Sequence, residues 1–255
     1  MHQTLYRPPS LSDFITVDEW KKRIERQWRQ GEHVAIIGTT GTGKTTIAQP
    51  LLECRQYVVA LALKKQDETL ERFKNGVHYG MSPYRVIRKW PPDYPMKRVI
   101  FWPKPKDIGS HDEQAERVYK VFNAIYMSGG WCLYADDCGY ISGSLGLGRA
   151  LGVLLNQGRS AHISVVAAMT RPSSVVASVP KEAFNQCRHL LIFKYTDERE
   201  MKTCAQIAGI TYRDMLVYQE MLQWHTGRNG KRYSDFLYVY DNEVILVENV
   251  SRDET

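Results

Sequence analysis

The chain has no apolar run approaching the ~18 residues that a membrane-spanning helix needs. Its opening stretch, MHQTLYRPPS, lacks the apolar core of a secretory leader. A cytoplasmic protein is expected, in the host cytoplasm if the source is viral. Cysteine is sparse: the five, Cys54, Cys132, Cys138, Cys187 and Cys204, are an odd number and form no C-x-x-C pair. That pattern argues against a disulfide framework or a zinc site and for reduced, buried thiols. Internal repeats and low-complexity tracts are also missing. Neither sign of charge dominates, with 34 Lys and Arg against 28 Asp and Glu. The residual +6 and a pI near 9.0 allow a polyanionic partner without requiring one. A length of 255 residues suits one α/β domain with a well-buried core. We expect an arm and a basic helix over residues 1–30 and the main domain over 31–255.

Against these absences stands one stretch, residues 33–49, HVAIIGTTGTGKTTIAQ. An apolar, strand-like run feeds G-x-x-x-x-G-K-T, the P-loop or Walker A pattern, and a helix start follows it. The glycines let backbone N–H groups converge on phosphate oxygens, and the following helix adds its N-terminal dipole. Gly38, Thr39, Thr40, Gly41, Thr42, Gly43, Lys44, Thr45 and Thr46 are the candidate nucleotide-binding residues. Lys44 is placed to reach the β- and γ-phosphates, and the Thr45 hydroxyl to ligate Mg²⁺.

The remaining sequence alternates strands and helices. Thr16-Val-Asp-Glu19 fits a capping box and predicts a basic helix to Gly31 that carries Trp20 and Trp28. YVVALAL (57–63), VIFW (99–102), WCLYA (131–135), HISVVAAM (162–169) and HLLIFK (189–194) read as strands. Their continuous apolarity suits a parallel sheet covered on both faces. Helices are expected over 66–75, from a cap at Ser110 to about Met127, between the glycine-rich segment and Gly158, and over 197–208 and 212–222. DFLYVYDNEVILVEN reads as a C-terminal β-hairpin turning at Asp241-Asn242. The pattern predicts an α/β fold, a mostly parallel sheet flanked by helices.

A P-loop that hydrolyses needs a second acidic strand. WCLYA ends in Asp136-Asp137, and α/β sheets place ligands at such carboxyl ends. Asp136 is the candidate Mg²⁺ ligand and Asp137 the candidate base that polarises water. Strands lying between the P-loop and this Walker B segment point to the RecA-like (ASCE) type. No [NT]-K-x-D stretch selects guanine, so ATP is favoured.

GTTGTGKTT, the acidic pair after WCLYA, and the block from LLNQGRSAHISVVAAMTRPSS to KYTDEREMKTCAQIAG resemble the FtsK–HerA superfamily. Its members include DNA translocases and viral genome-packaging ATPases. The resemblance covers about residues 31–210, and its order of features is a Gly-Arg pair, a buried strand, then a polar residue before Arg-Pro. It implies a RecA-like P-loop NTPase using ATP and Mg²⁺, acting on double-stranded DNA as a homo-oligomeric ring of five or six subunits. A capsid or portal protein is a further implied partner. Thr170 falls where the family carries a γ-phosphate-sensing glutamine, and Asp137 where it carries a glutamate. Arg159 falls where the family has an arginine that acts on the neighbouring subunit's nucleotide, with Arg171 and Arg188 as alternatives. A morphogenesis or secretion ATPase acting on protein cargo, and a nucleotide-binding scaffold with weak hydrolysis, are the rival readings.

Two basic regions are candidate nucleic-acid contacts. One spans Arg85, Arg88, Lys89, Lys104 and Lys106, with Lys97 and Arg98 between them and Tyr84, Trp90, Tyr94 and Trp102 interleaved. The other is Arg228, Lys231 and Arg232 in a glycine-bearing loop. Phosphate contacts without base readout need only such cations.

Overall fold

The computed structural model describes residues 14–75, 83–92, 95–107, 109–178, 184–227, 230 and 232–249. Its strands are β1 (Phe14–Thr16), β2 (His33–Ile37), β3 (Val58–Leu61), β4 (Arg85–Ile87), β5 (Arg98–Phe101), β6 (Cys132–Ala135), β7 (Ser164–Met169), β8 (Cys187–Phe193), β9 (Trp224–Thr226), β10 (Arg232–Ser234), β11 (Phe236–Tyr240) and β12 (Glu243–Glu248). One ten-stranded sheet has the order β1-β12-β11-β8-β2-β7-β6-β3-β5-β4, and β9 and β10 form a separate antiparallel ribbon. From β8 to β4 all neighbours are parallel, while β11 runs antiparallel to both β8 and β12.

Every residue of β2, β3, β5, β6 and β7 is buried, which is why these segments read as continuous apolar runs. Their side chains alternate between two helical layers with the strand period of two. Val34 and Ile36 of β2 join a cluster with Trp20 and Ile24 of α1 (Val17–Gln27), Leu51 of α2 (Lys44–Glu53) and Phe73 of α3 (Glu68–Asn75). Ala35 and Ile37 face the other cluster, with Phe122 of α4 (His111–Ser128), Leu151 of α5 (Gly148–Gln157) and Val175 of α6 (Pro172–Ser178). Helices Glu198–Ala208 and Tyr212–Met221 complete that second layer. Trp20 is fully buried, edge-on to Phe236 at 5.3 Å. Removing such a ring from water is worth on the order of 3 kcal/mol. The basic N-terminal helix is thus packed on the chain's own sheet.

The capping box forms as expected: Thr16 Oγ1 accepts from Glu19 N (3.3 Å), and Thr16 N donates to Glu19 Oε2 (2.8 Å). The helix stops at Gln27, short of Gly31, because Trp28 leaves helical geometry to lie beneath the Arg55 guanidinium, 3.5 Å from the ring centroid. Ser110 precedes α4 but does not cap it. Its hydroxyl instead closes the preceding turn, accepting from Lys106 N (3.1 Å) and donating to Asp107 O (2.8 Å). The C-terminal hairpin pairs Tyr240 with Glu243, leaving Asp241 and Asn242 at φ 48° and 66°. Two consecutive left-handed residues are what a tight two-residue hairpin turn requires. Among the described residues no helix is long and apolar enough to cross a membrane.

Candidate active site

Strand order reverses at β2, with β7, β6, β3 and β5 on one side and β8 on the other. Open α/β sheets bind ligands at this switch point, beyond the carboxyl ends of the strands. Residues 38–43 fill the crevice as a loop, and Lys44, Thr45 and Thr46 form the first turn of α2. Gly38 N donates to Met169 O of β7 (3.1 Å), and Ser234 N donates to Thr42 O (3.2 Å), so the loop is anchored at both flanks. A Cβ on Gly38 would stand 2.7 Å from Phe193 Cβ and from Thr42 Oγ1, which only glycine avoids. Gly43 sits at φ 97° immediately before α2. The free N–H groups of such a first turn are the kind that can take an anion. Lys44 Nζ donates to Gly38 O (2.7 Å) and Thr39 O (2.8 Å), lying over the loop. Burial pushes its ammonium down to about 8, against the opposing pull of Asp136 and Asp137.

The acid pair arrives from β6, which is not adjacent to β2: in space the intervening strand is β7, while β3 and β5 lie beyond β6. Thr45 Oγ1 nevertheless donates to Asp136 Oδ1 at 3.1 Å, joining the two motifs. Tyr134 OH donates to the same oxygen at 2.5 Å, and Lys64 Nζ stands 3.5 Å from Asp136 Oδ2. Burial raises the Tyr134 pKa well above the phenolic range, so it remains a donor. A hydroxyl and a carboxylate are hard oxygen donors. Mg²⁺ characteristically takes one or two protein ligands with phosphates and waters, so Thr45 and Asp136 fit it.

Asp137 follows at the strand end, half-buried, with Oδ1 accepting from Tyr140 N (3.0 Å). Tyr140 is held in turn by its hydroxyl donating to Gln114 Oε1 (2.7 Å). A cavity of about 300 Å³ opens beside the pair, lined by Leu61, Leu63, Lys64, Asp67, Asp137 and Tyr140 among others. Thr170 follows β7 directly, next to Met169 on which the P-loop is anchored, and its carbonyl accepts from Tyr195 OH (2.6 Å).

The candidate arginines separate by edge. Arg171 is exposed beside Thr170 at the carboxyl edge. Arg159 lies at the amino edge, in the turn Gly158–Ala161 before β7, exposed, with no side-chain partner among the described residues. Arg188, also at the amino edge, is committed inside the chain: Nε and Nη2 donate to Asp241 (2.9 and 2.8 Å), and Nη1 to Glu32 (2.8 Å). Arg188 is thus engaged within the chain, unlike Arg159 and Arg171 among the described residues.

The basic regions disperse. Arg85, Arg88 and Lys89 are exposed on and after the edge strand β4. Lys104 is exposed and stands 4.5 Å from the Trp102 ring centroid, while Lys106 pairs with Glu113 at 3.0 Å. Arg98 turns inward, 1% exposed, over the Tyr84 ring, and Tyr84 and Trp102 are core residues. Arg232 lies in β10 with its guanidinium 4.1 Å from the Trp224 ring centroid. Tyr94, Arg228 and Lys231 fall outside the described residues. Sequence reading missed Tyr134 and Lys64. Tyr134 shares a strand face with Asp136 by the period of two, a usable signal; Lys64 meets Asp136 only through the pairing of β3 with β6.

No protein-family model and no curated protein matches the chain. Solved structures match it at the level of fold. The genome packaging NTPase B204 from Sulfolobus turreted icosahedral virus 2, in complex with AMPPCP, gives a TM-score of 0.54 at 13% identity, over 87% of this chain and 100% of that one. The DNA-packaging ATPase B204 from Sulfolobus turreted icosahedral virus gives 0.52 at 16%, over 88% and 100%. VirB4 of Thermoanaerobacter pseudethanolicus gives 0.57 at 10%, over 87% and 90%. The chain shares the fold of these three proteins. It is RecA-like, with the C-terminal hairpin β11–β12 extending the sheet beyond β8.

Proposed function

We propose that this chain is an ATP-driven translocase of double-stranded DNA, of the genome-packaging type, working as a homo-oligomeric ring. The observation that carries the ATPase part of this reading is the Thr45–Asp136 contact, which assembles P-loop and acid pair into one site across β7. Backbone N–H groups of residues 38–46 hold the phosphates, and Lys44 offsets the charge of the β- and γ-phosphates. Thr45 and Asp136 hold Mg²⁺, which when bound supplies positive charge against that developing on the transferred phosphoryl group. Asp137, fixed by the Tyr140 N–H, orients the attacking water and takes its proton. Thr170 presents a hydroxyl to the γ-phosphate.

Phosphoryl transfer is catalysed almost wholly by positioning and electrostatics, so a further cation is valuable. Arg159 is our candidate, delivered to the nucleotide of the next subunit. Its surroundings support a subunit contact: Tyr126 and Met127 at the end of α4 and Val153 on α5 are exposed, Met127 by 75%. That last turn of α4 is tied to the Arg159 turn through Tyr126 OH donating to Gln157 Oε1 (2.7 Å) and Gly130 N donating to Ala161 O (2.9 Å). Exposed Arg85, Arg88, Lys89 and Lys104 support a polyanionic track. The test is steady-state ATP hydrolysis with and without long double-stranded DNA. Stimulation by DNA, lost in Lys44→Ala and Asp137→Asn, supports the motor. Turnover indifferent to DNA sinks it and promotes a protein-cargo ATPase.

A further inference from the structure

The β9–β10 ribbon takes no part in the hydrolytic chemistry, yet it is built against the P-loop. A Cβ at Gly43 would lie 3.4 Å from both Tyr233 Cβ and Asn249 Nδ2. Tyr233 pairs across the ribbon with His225, their rings stacked at 5.4 Å between centroids and 29° between planes. The ribbon's base is fixed by Asp235, which is 1% exposed. Its Oδ1 meets His225 Nε2 (2.7 Å) and accepts from Asn249 N (3.0 Å), and its Oδ2 accepts from Gln223 N (2.9 Å). Asn249 Nδ2 donates to Ser234 O (3.1 Å), and Ser234 N reaches the P-loop at Thr42 O (3.2 Å). A polar network satisfied this fully holds its members rigidly.

Its position relative to the acids sets the direction. Asp136 and Asp137 end β6, on the β7 side of the P-loop strand, whereas the ribbon leads into β11, on the β8 side. Hydrolysis requires the γ-phosphate to face the acids. With the intermediate phosphate over the loop and the start of α2, the nucleoside would leave on the opposite side, the side of the ribbon.

We propose that the Tyr233–His225 face of the ribbon is a stacking subsite for the purine base of the bound nucleotide, a reading that rests on the P-loop being the triphosphate site. Stacking on an aromatic face tolerates any base and tightens binding by about tenfold or more. Because Ser234 of the ribbon is hydrogen-bonded to Thr42 of the loop, the base and phosphate subsites are mechanically connected.

Calorimetric binding of ATP and of inorganic tripolyphosphate to the full chain separates the contributions. Tyr233→Ala is expected to weaken ATP about tenfold and leave tripolyphosphate within about twofold, while Tyr233→Phe retains both affinities. Unchanged tripolyphosphate binding also reports an intact P-loop in the variant. Equal weakening of both ligands overturns the subsite and leaves Tyr233 as a prop for the loop; no change in either overturns it also. Lys44→Ala should weaken both ligands. If it weakens neither, the phosphate site itself fails, a result distinct from failure of the stacking claim.

Discussion

At the amino edge of the sheet, Arg188 grips Asp241 and Glu32, Glu32 meets His189 Nε2 at 3.2 Å, and His189 Nδ1 meets Tyr238 OH at 2.8 Å. At the carboxyl edge the same kinds of group stand differently. Lys44 lies on loop carbonyls that a phosphate can replace, and Asp137 borders a cavity of about 300 Å³. The first arrangement consumes its charges within the chain; the second presents them to a ligand. Buried groups that satisfy one another define architecture, and groups arrayed around a crevice define chemistry. Arg159 is an exposed cation at the amino edge without a side-chain partner among the described residues, and of the candidate arginines it is the one we propose for another copy's nucleotide.

Changes on opposite edges should therefore fail in opposite ways. Lys44→Ala should lower ATP turnover by at least ~100-fold while leaving the melting temperature nearly unchanged, read by phosphate release and thermal denaturation. Arg188→Ala should do the reverse, costing about 2 kcal/mol of stability with nucleotide affinity retained, because it leaves the buried Glu32 without its guanidinium. A large loss of nucleotide binding in Arg188→Ala would break the division. Tyr134→Phe should keep the fold and weaken the Mg²⁺ dependence of nucleotide binding by about tenfold, since it removes a hydrogen bond that orients Asp136. Titrating metal against a fluorescent nucleotide measures it.

The smallest effect per group is a pH dependence seated at the amino edge. Burial holds His33 and His189 neutral, each down to about 4. Between there and the unfolded value near 6.5 the unfolded chain binds more protons, so stability falls as the solution is acidified through that window. About 1 kcal/mol should be lost per histidine from pH 7 to pH 5.5. Urea midpoints across that range test it, and a flat profile would show these rings to be accessible to protons.

Much of the carboxyl edge was legible because its motifs are local. The P-loop is one contiguous stretch whose glycines have backbone reasons, and Asp136-Asp137 ends a strand whose apolarity marks it as buried. What was not legible depends on partners distant in sequence. β7 separates the two motifs in space although it follows both in the chain, and Lys64 reaches Asp136 only through strand pairing. The three-residue strands β1, β4, β9 and β10 are too short for a period to show. Arg159 and Arg188 look alike in sequence, each beside the start of a strand, and only the contacts of Arg188 tell them apart. Arg98 looked like a surface cation within a basic stretch, but its strand faces the underside of α2, where its guanidinium donates to Leu52 O at 2.8 Å.

The central claim, that Arg159 serves the carboxyl edge of another copy, is tested most directly by ATP hydrolysis in mixtures of Lys44→Ala and Arg159→Ala chains, each inactive alone. The account predicts that the mixture regains turnover, because an intact Arg159 on the first then faces an intact P-loop on the second. A mixture no more active than its separate components, with both chains folded and co-assembled, would contradict it.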